Sequence, residues 1–400
     1  MKYDFTSIMD RRGRDALAID SVGRGHAPGA PREGFDVIPM WIADMNFPTI
    51  PTVPAAIIER AKHPVYGYFF PSDAYFNAIF RWQEQRHGVT GLTRENIGYE
   101  NGVLGGVVSA LNVFCSKGGN VLLHSPTYTG FTGALGNNGY NMILSPLVKD
   151  ENGVWRMDFE DMERRIVENH IHAAVFCSPH NPTGRVWERW EVERFTELCA
   201  KHDVFIVSDE IWSDIVRPGV VHTPTQSVSE DAKNRTLALY APSKTFNLAG
   251  LLVSDIIIPN DQIRAAFQEK LAPYYLWPGN FGAAAQIAAY DQGEDWLEQL
   301  LVYLRGNAQY IGEFIAQRMP RVKYRPPEAT YLAWLDFRDY GMDRAQLWDF
   351  MCHKARVATD DGAKFGPNGE GDGFQRLNFA CPRQQLTQAL ERIAQALDQL

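Results

Sequence analysis

The stretch that decides the fold is Leu-Tyr-Ala-Pro-Ser-Lys-Thr-Phe-Asn-Leu-Ala-Gly, residues 239–250. Its lysine, Lys244, lies in a small, polar bend directly after the apolar run 236–240. Two other polar clusters end apolar runs in the same way. Ser-Pro-His-Asn-Pro-Thr-Gly (178–184) follows residues 173–177, and Ser-Asp-Glu (208–210) follows residues 204–207. Short apolar runs bounded by turn-forming residues read as buried strands. An amine, a carboxylate and an amide therefore converge from three strand ends.

Outward from these runs, residues 95 to 260 alternate strand-period and helix-period segments. Strands are expected at 120–124, 142–147, 173–177, 204–207, 236–240 and 253–258, with helices at 103–114, 158–169 and 189–202. Such alternation implies a mainly parallel sheet covered on both faces. Ligands of such sheets bind outside the carboxyl ends of the strands, where the three clusters fall. Beyond residue 260 helical patterns dominate (261–271, 281–290, 294–319). Short strands at 331–337 and 375–378 and a closing helix from Pro382 then suggest a second, smaller α/β layer. The proline-rich stretch 39–54 reads as the first crossing between the two.

The chain has 400 residues, more than one core usually supports. Its formal net charge of -9, without a basic run, argues against a nucleic-acid partner. The start, Met-Lys-Tyr-Asp-Phe-Thr, has no apolar signal core, and no apolar run is long enough to span a bilayer. Five cysteines without metal-ligand spacing read as reduced thiols in a cytoplasmic protein. The ten histidines show no metal-binding spacing either.

Lys244, flanked by Ser, Thr, Pro and Ala after a buried strand, is an amine with reduced solvation, which makes it nucleophilic toward an aldehyde. Asp209 lies 35 residues earlier and reads as a buried carboxylate able to hold a pyridine nitrogen protonated. Asn181 can donate to a ring oxygen. Together they make the set that a pyridoxal phosphate (PLP) enzyme needs: a Schiff-base amine, an acid for the ring nitrogen and a donor for the ring oxygen. Residues 100–111 open a helix with glycines, and its first backbone N–H groups suit a phosphate, though close helix packing explains glycine equally well. Ser243, next to the lysine, is a candidate second phosphate ligand. Tyr128 stacks on a ring or packs in the core. Arg376, on a short C-terminal strand, can grip an α-carboxylate with two parallel bonds. Glu210 and Arg383 read as structural.

The segments Ser-Pro-His-Asn-Pro-Thr-Gly-Arg-Val-Trp, Ser-Asp-Glu-Ile-Trp, Ala-Pro-Ser-Lys-Thr-Phe-Asn-Leu-Ala-Gly-Leu and Arg-Leu-Asn-Phe-Ala-Cys-Pro-Arg resemble the fold-type I PLP enzymes. More narrowly they resemble the MalY/PatB subgroup of cystathionine β-lyases, as do Pro-Met-Trp-Ile-Ala-Asp-Met (39–45) and Tyr-Gly-Tyr (66–68). The resemblance runs from Tyr3 to Arg383. It implies an α/β fold with a mainly parallel seven-stranded sheet in a large PLP-binding domain, 46–285. A smaller α/β domain, 286–400, would be joined by the segment 1–45. It implies that Lys244 carries the cofactor and acts as acid and base at the substrate Cα. Asp209 would pair with the ring nitrogen, Asn181 with the ring oxygen, and Tyr128 would stack. Ser243 and the backbone of Val103 and Leu104 would hold the phosphate, and Arg376 the substrate carboxylate. Tyr66 would reach the phosphate of a neighbouring subunit, making a homodimer with shared sites. Trp41 and Ala43 would line the substrate entrance.

Four places depart from the subgroup. Trp212 stands among the cofactor-side residues where relatives carry His or Tyr, and its indole can donate but neither accept nor ionise. Leu252 stands where many relatives place a phosphate-binding Arg. Residues 12–20 lack the usual Thr-x-Ser-x-Lys-Trp run, and Asn46 replaces an Asp. The resemblance implies β-elimination from cystathionine or another S-substituted cysteine. The residues alone are equally compatible with amino-acid transamination, and a PLP fold that only binds a regulator is a third reading. Trp41, Tyr66, Tyr68, Trp212 and Tyr275 would shape the pocket for the group on sulfur.

Overall fold

Strand Ala173–Cys177 shows why the centre of the chain folds as a two-faced sheet. Ala173, Val175 and Cys177 join one buried cluster, while Ala174 and Phe176 join another. Side chains alternate across a strand, so a continuous apolar run fills a core on each face. The computed structural model describes residues 2–274 and 276–400; Tyr275 lies outside the described residues.

By contact density the chain forms two compact units. The larger comprises Thr49–His180 with Arg185–Leu297. The smaller comprises the chain up to Pro48, Asn181–Gly184 and Glu298–Leu400.

The larger unit is built on seven strands: β1 (Ile97–Glu100), β2 (Asn120–Ser125), β3 (Asn141–Pro146), β4 (Ala173–Cys177), β5 (Phe205–Asp209), β6 (Thr236–Tyr240) and β7 (Ser254–Ile257). Their order is β1-β7-β6-β5-β4-β2-β3. The pairs from β6 to β3 are parallel, and β7 runs antiparallel to both β6 and β1. The α/β class and the mainly parallel seven-stranded sheet are thus as expected. Strand β1 was not among the segments read from the sequence: Ile-Gly-Tyr-Glu has too little apolar content to stand out.

Helix α1 (Val103–Phe114) covers one face through Val103, Val107, Ala110 and Leu111. Helices α2 (Phe159–Glu168) and α3 (Arg189–Lys201) cover the other through Met162, Ile166, Val192 and Phe195. Asp158 caps α2 by accepting from the N–H of Asp161, and Glu188 with Glu191 forms a capping box on α3. Such caps satisfy N–H groups that have no partner within the helix.

In the smaller unit, strands β8 (Leu332–Asp336), β9 (Asp360–Asp361) and β10 (Phe374–Asn378) form an antiparallel sheet with β10 central. The short run Ile38–Pro39 pairs in parallel with Val357–Ala358. The closing helix Arg383–Leu397 buries Leu386, Leu390 and Ile393. Arg383 is structural, as expected: it donates to Asn307 at 2.8 Å and lies over the ring of Tyr310. Among the described residues no helix is long and apolar enough to cross a membrane.

Candidate active site

In the larger unit Asp209, Trp212, Ser243 and Lys244 lie at or just beyond the carboxyl ends of β5 and β6. Lys244 sits not in an irregular bend but on a one-turn helix, α4 (Pro242–Thr245). Proline at its first position explains the helix: its φ is already helical and its missing N–H would have had no partner there. Asp209 ends β5, and the turn that follows carries Trp212 and Asp214. Lys244 Nζ lies 5.5 Å from the centroid of the Trp212 ring, and Trp212 is buried. Thr245, next to the lysine, donates to Asp214 at 2.7 Å. Asp214 also accepts from the Trp82 indole at 3.1 Å and sits 3.1 Å from His87 Nε2.

Asp209 is buried and accepts one hydrogen bond, from the N–H of Ile211 at 3.1 Å. Burial pushes its carboxyl up to about 7, with the Ile211 N–H and the nearby Lys244 charge opposing this only in part. Glu210, its neighbour, turns away. It accepts from Tyr240 at 2.7 Å, His222 at 2.8 Å and the N–H of Thr225 at 3.0 Å, so its structural reading holds.

Helix α1 starts after Gly102, whose φ of +77° favours glycine, and no side chain caps it. The N–H groups of Val103 and Leu104 are in its first turn, where no intrahelical acceptor exists. Of the two glycines that follow, Gly106 is a packing residue: a Cβ there would meet Leu239 at 2.3 Å. At Gly105 nothing comes closer than 3.9 Å. Ser243 is half-buried on α4. Tyr128 is half-buried at the start of helix Thr129–Asn137, edge-on to Phe131 at 5.4 Å, and a Cβ on Gly130 would strike its ring. Tyr66 is exposed, donates to the Ala61 carbonyl at 3.0 Å and sits 5.7 Å from Phe281. Tyr68 is fully exposed. Leu252 is half-exposed with φ +52°, and its carbonyl accepts from Tyr99 at 2.8 Å.

In the smaller unit Arg376 is not a surface arginine. It is 3% exposed and donates from Nη1 to Asn181 Oδ1 at 3.0 Å. Its Nε–Nη2 edge is engaged by Asp360, the residue opposite it in the β9–β10 register. Two parallel bonds to a carboxylate, as expected of this arginine, would have to come from its Nη1–Nη2 edge. Nη2 also faces the Trp41 carbonyl at 3.4 Å. Trp41 and Ala43 are buried: the Trp41 indole donates to the Ala18 carbonyl at 2.8 Å, and the Ala43 carbonyl accepts from Tyr331 at 3.0 Å. Asn46 accepts from Arg11, which also pairs with Asp44 at 2.5 Å.

Sequence reasoning missed Asp214 and Asp360. Asp214 lies five residues after Asp209 in a turn without periodicity. Asp360 lies on a two-residue strand, too short to announce itself, and only the register reveals its partner.

Residues 36–393 match the family described as aminotransferase class I and II, and the chain belongs to that family. It is 38% identical to the cystathionine β-lyase PatB of Bacillus subtilis, over 90% of this chain and 93% of that protein. It is 32% identical to the protein MalY of Escherichia coli, over 99% of each. Among solved structures, a PLP-bound C–S lyase of Staphylococcus hominis in complex with L-cycloserine superposes with a TM-score of 0.91 at 31% identity. That match covers 99% of this chain and 98% of the other.

Proposed function

We propose that this chain is a PLP-dependent carbon–sulfur β-lyase that cleaves cystathionine or another S-substituted cysteine to thiol, pyruvate and ammonia. The carrying observation is Asp209. A buried carboxyl with one backbone hydrogen bond is lifted to about 7 by burial, an effect that the nearby Lys244 charge offsets only in part, so its ionised form calls for a hydrogen-bonded cation. A pyridinium N–H supplies one, so the residues present fit the cofactor. The names of PatB and of the C–S lyase of Staphylococcus hominis support elimination at sulfur.

The cofactor, when bound, supplies an aldehyde for the amine and an electron-accepting ring for the bond broken at Cα. The remaining tasks fall to the chain. Asp209 would pair, ionised, with the ring nitrogen, and Asn181 would donate to the ring oxygen. Tyr128 would stack on the ring face. The N–H groups of Val103 and Leu104, with Ser243, would hold the phosphate, as anions are held at helix N-termini. Arg376 binds the substrate carboxylate through its Nη1–Nη2 edge. Lys244 removes the Cα proton and carries it as an ammonium. Trp41 and Ala43 border the substrate entrance.

The same reading makes the enzyme a cytoplasmic homodimer in which Tyr66 serves the neighbouring subunit's phosphate. Tyr66, Tyr68, Phe70 and Trp277 are exposed, with Phe70 and Trp277 rings 5.2 Å apart. Exposed aromatic clusters of this kind mark interaction surfaces. The purified enzyme with cystathionine should yield pyruvate and thiol; neither product at useful enzyme concentration would sink the proposal.

A further inference from the structure

Trp212 occupies a place that its own chemistry makes unusual. An indole face cannot take up or release a proton, yet it lies 5.5 Å beneath the amine that must do both. The placement is fixed from two sides. The turn is held by Ile211 N–H on Asp209 at 3.1 Å, Ser213 N–H on the Glu210 carbonyl at 3.0 Å and Ile215 N–H on the Trp212 carbonyl at 3.0 Å. Two residues beyond the indole, Asp214 accepts from Thr245 at 2.7 Å, which ties the lysine's helix to the same turn. Lysine and indole are therefore anchored to the same turn.

The negative face of an indole attracts a cation within about 6 Å, and more strongly where water is excluded. It does nothing comparable for a neutral amine. Asp209 also acts on Lys244 through space. Asp214 is committed to Thr245, Trp82 and His87, and Glu210 to His222 and Tyr240.

We propose that Trp212 is a positioning residue that stabilises the protonated form of Lys244 and so biases the site toward elimination rather than transamination. The inference rests on the β-lyase reading. Lys244 takes the Cα proton. The C–H electron pair becomes the Cα–Cβ double bond, and the C–S pair leaves with sulfur. In transamination the same ammonium instead returns its proton to carbon. A lysine held as ammonium is a weaker acid, so that return slows while departure of the sulfur does not.

The test compares the holoenzyme with Trp212→Phe and Trp212→Leu. Without substrate, the absorbance of the lysine-bound cofactor is titrated against pH. The midpoint should fall by about 0.5–1.5 units in Trp212→Leu and by less in Trp212→Phe. With an S-substituted cysteine, the ratio of pyruvate to transamination product should fall in the same order. If Trp212→Leu does not fold, Trp212→Phe against the parent decides. A midpoint unmoved in the folded variants overturns the proposal. A parent that makes no pyruvate while the midpoint still shifts overturns the β-lyase reading instead, and with it the bias toward elimination.

Discussion

Arg376 and Asn181, 195 positions apart in the chain, meet at 3.0 Å, with the guanidinium Nη1 donating to the amide Oδ1. Because Asp360 holds the other edge of the guanidinium, its plane is fixed before any substrate arrives. Arg376→Lys removes the planar fork that grips a carboxylate and leaves a single point charge. Truncating one partner of a buried, hydrogen-bonded charge pair typically costs 2–5 kcal/mol. We expect kcat/KM to fall about 100-fold or more, with most of the change in KM, measured by pyruvate release. An unchanged KM would remove Arg376 from substrate binding.

Asp209 tests cofactor binding apart from turnover. Asp209→Asn keeps the shape but cannot hold a ring nitrogen protonated. A charge-assisted hydrogen bond contributes about 1.5–3 kcal/mol, so cofactor affinity should fall roughly tenfold to a hundredfold. Turnover should fall further, because the electron-accepting ring is impaired. Equilibrium titration of the apoprotein with PLP checks the first part. Unchanged affinity would contradict the pairing.

Much of this arrangement was legible in the sequence, for a physical reason. Strands buried on both faces are continuous apolar runs, so β4 and β6 fall at 173–177 and 236–240 as read, and the polar clusters after them are conspicuous. Helix α1 likewise spans 103–114 as read. What stayed hidden depends on neighbours that no local pattern encodes. The antiparallel course of β7 follows from its pairing with Ile97–Glu100, a strand whose glycine and glutamate break the apolar signal. Gly106 could have served a phosphate or a packing contact, and only Leu239 beside it decides. Asp360 and Asp214 are set by register and by a turn.

The two helix-start glycines give opposite expectations. Gly106→Ala drives a Cβ to 2.3 Å from Leu239 Cδ2 and 3.2 Å from Glu100 Cγ, both buried. Overpacking of this kind costs about 1–3 kcal/mol, only partly offset by alanine's better helix propensity. Gly105→Ala meets nothing closer than 3.9 Å and should be neutral or stabilising. Thermal melts of the two variants should shift in opposite directions or, at least, only Gly106→Ala should melt early.

Acid should destabilise the fold through buried histidines. Burial pushes His124 down to about 4 and His180 down to about 3, from an ordinary 6.5. Below 6.5 the unfolded chain binds the protons that these rings refuse, so their contribution is present above 6.5 and lost as pH falls toward 4. Glu100, Asp209 and Asp255 act oppositely. Burial lifts each to about 7, so their contribution is full below the ordinary carboxyl range and lost as pH rises through 7. His124 packs among Phe176, Trp187 and Phe195, which can accept a phenyl ring. His124→Phe should therefore lose less stability between pH 6.5 and 4 than the parent, by urea midpoints. An identical pH profile would contradict the assignment.

The most direct measurement of the central claim is product analysis of the holoenzyme with cystathionine alone. The account predicts pyruvate, ammonia and thiol in equal amounts, abolished in Lys244→Ala. A keto acid retaining the sulfur, with the cofactor left in its amine form and no pyruvate, would contradict it.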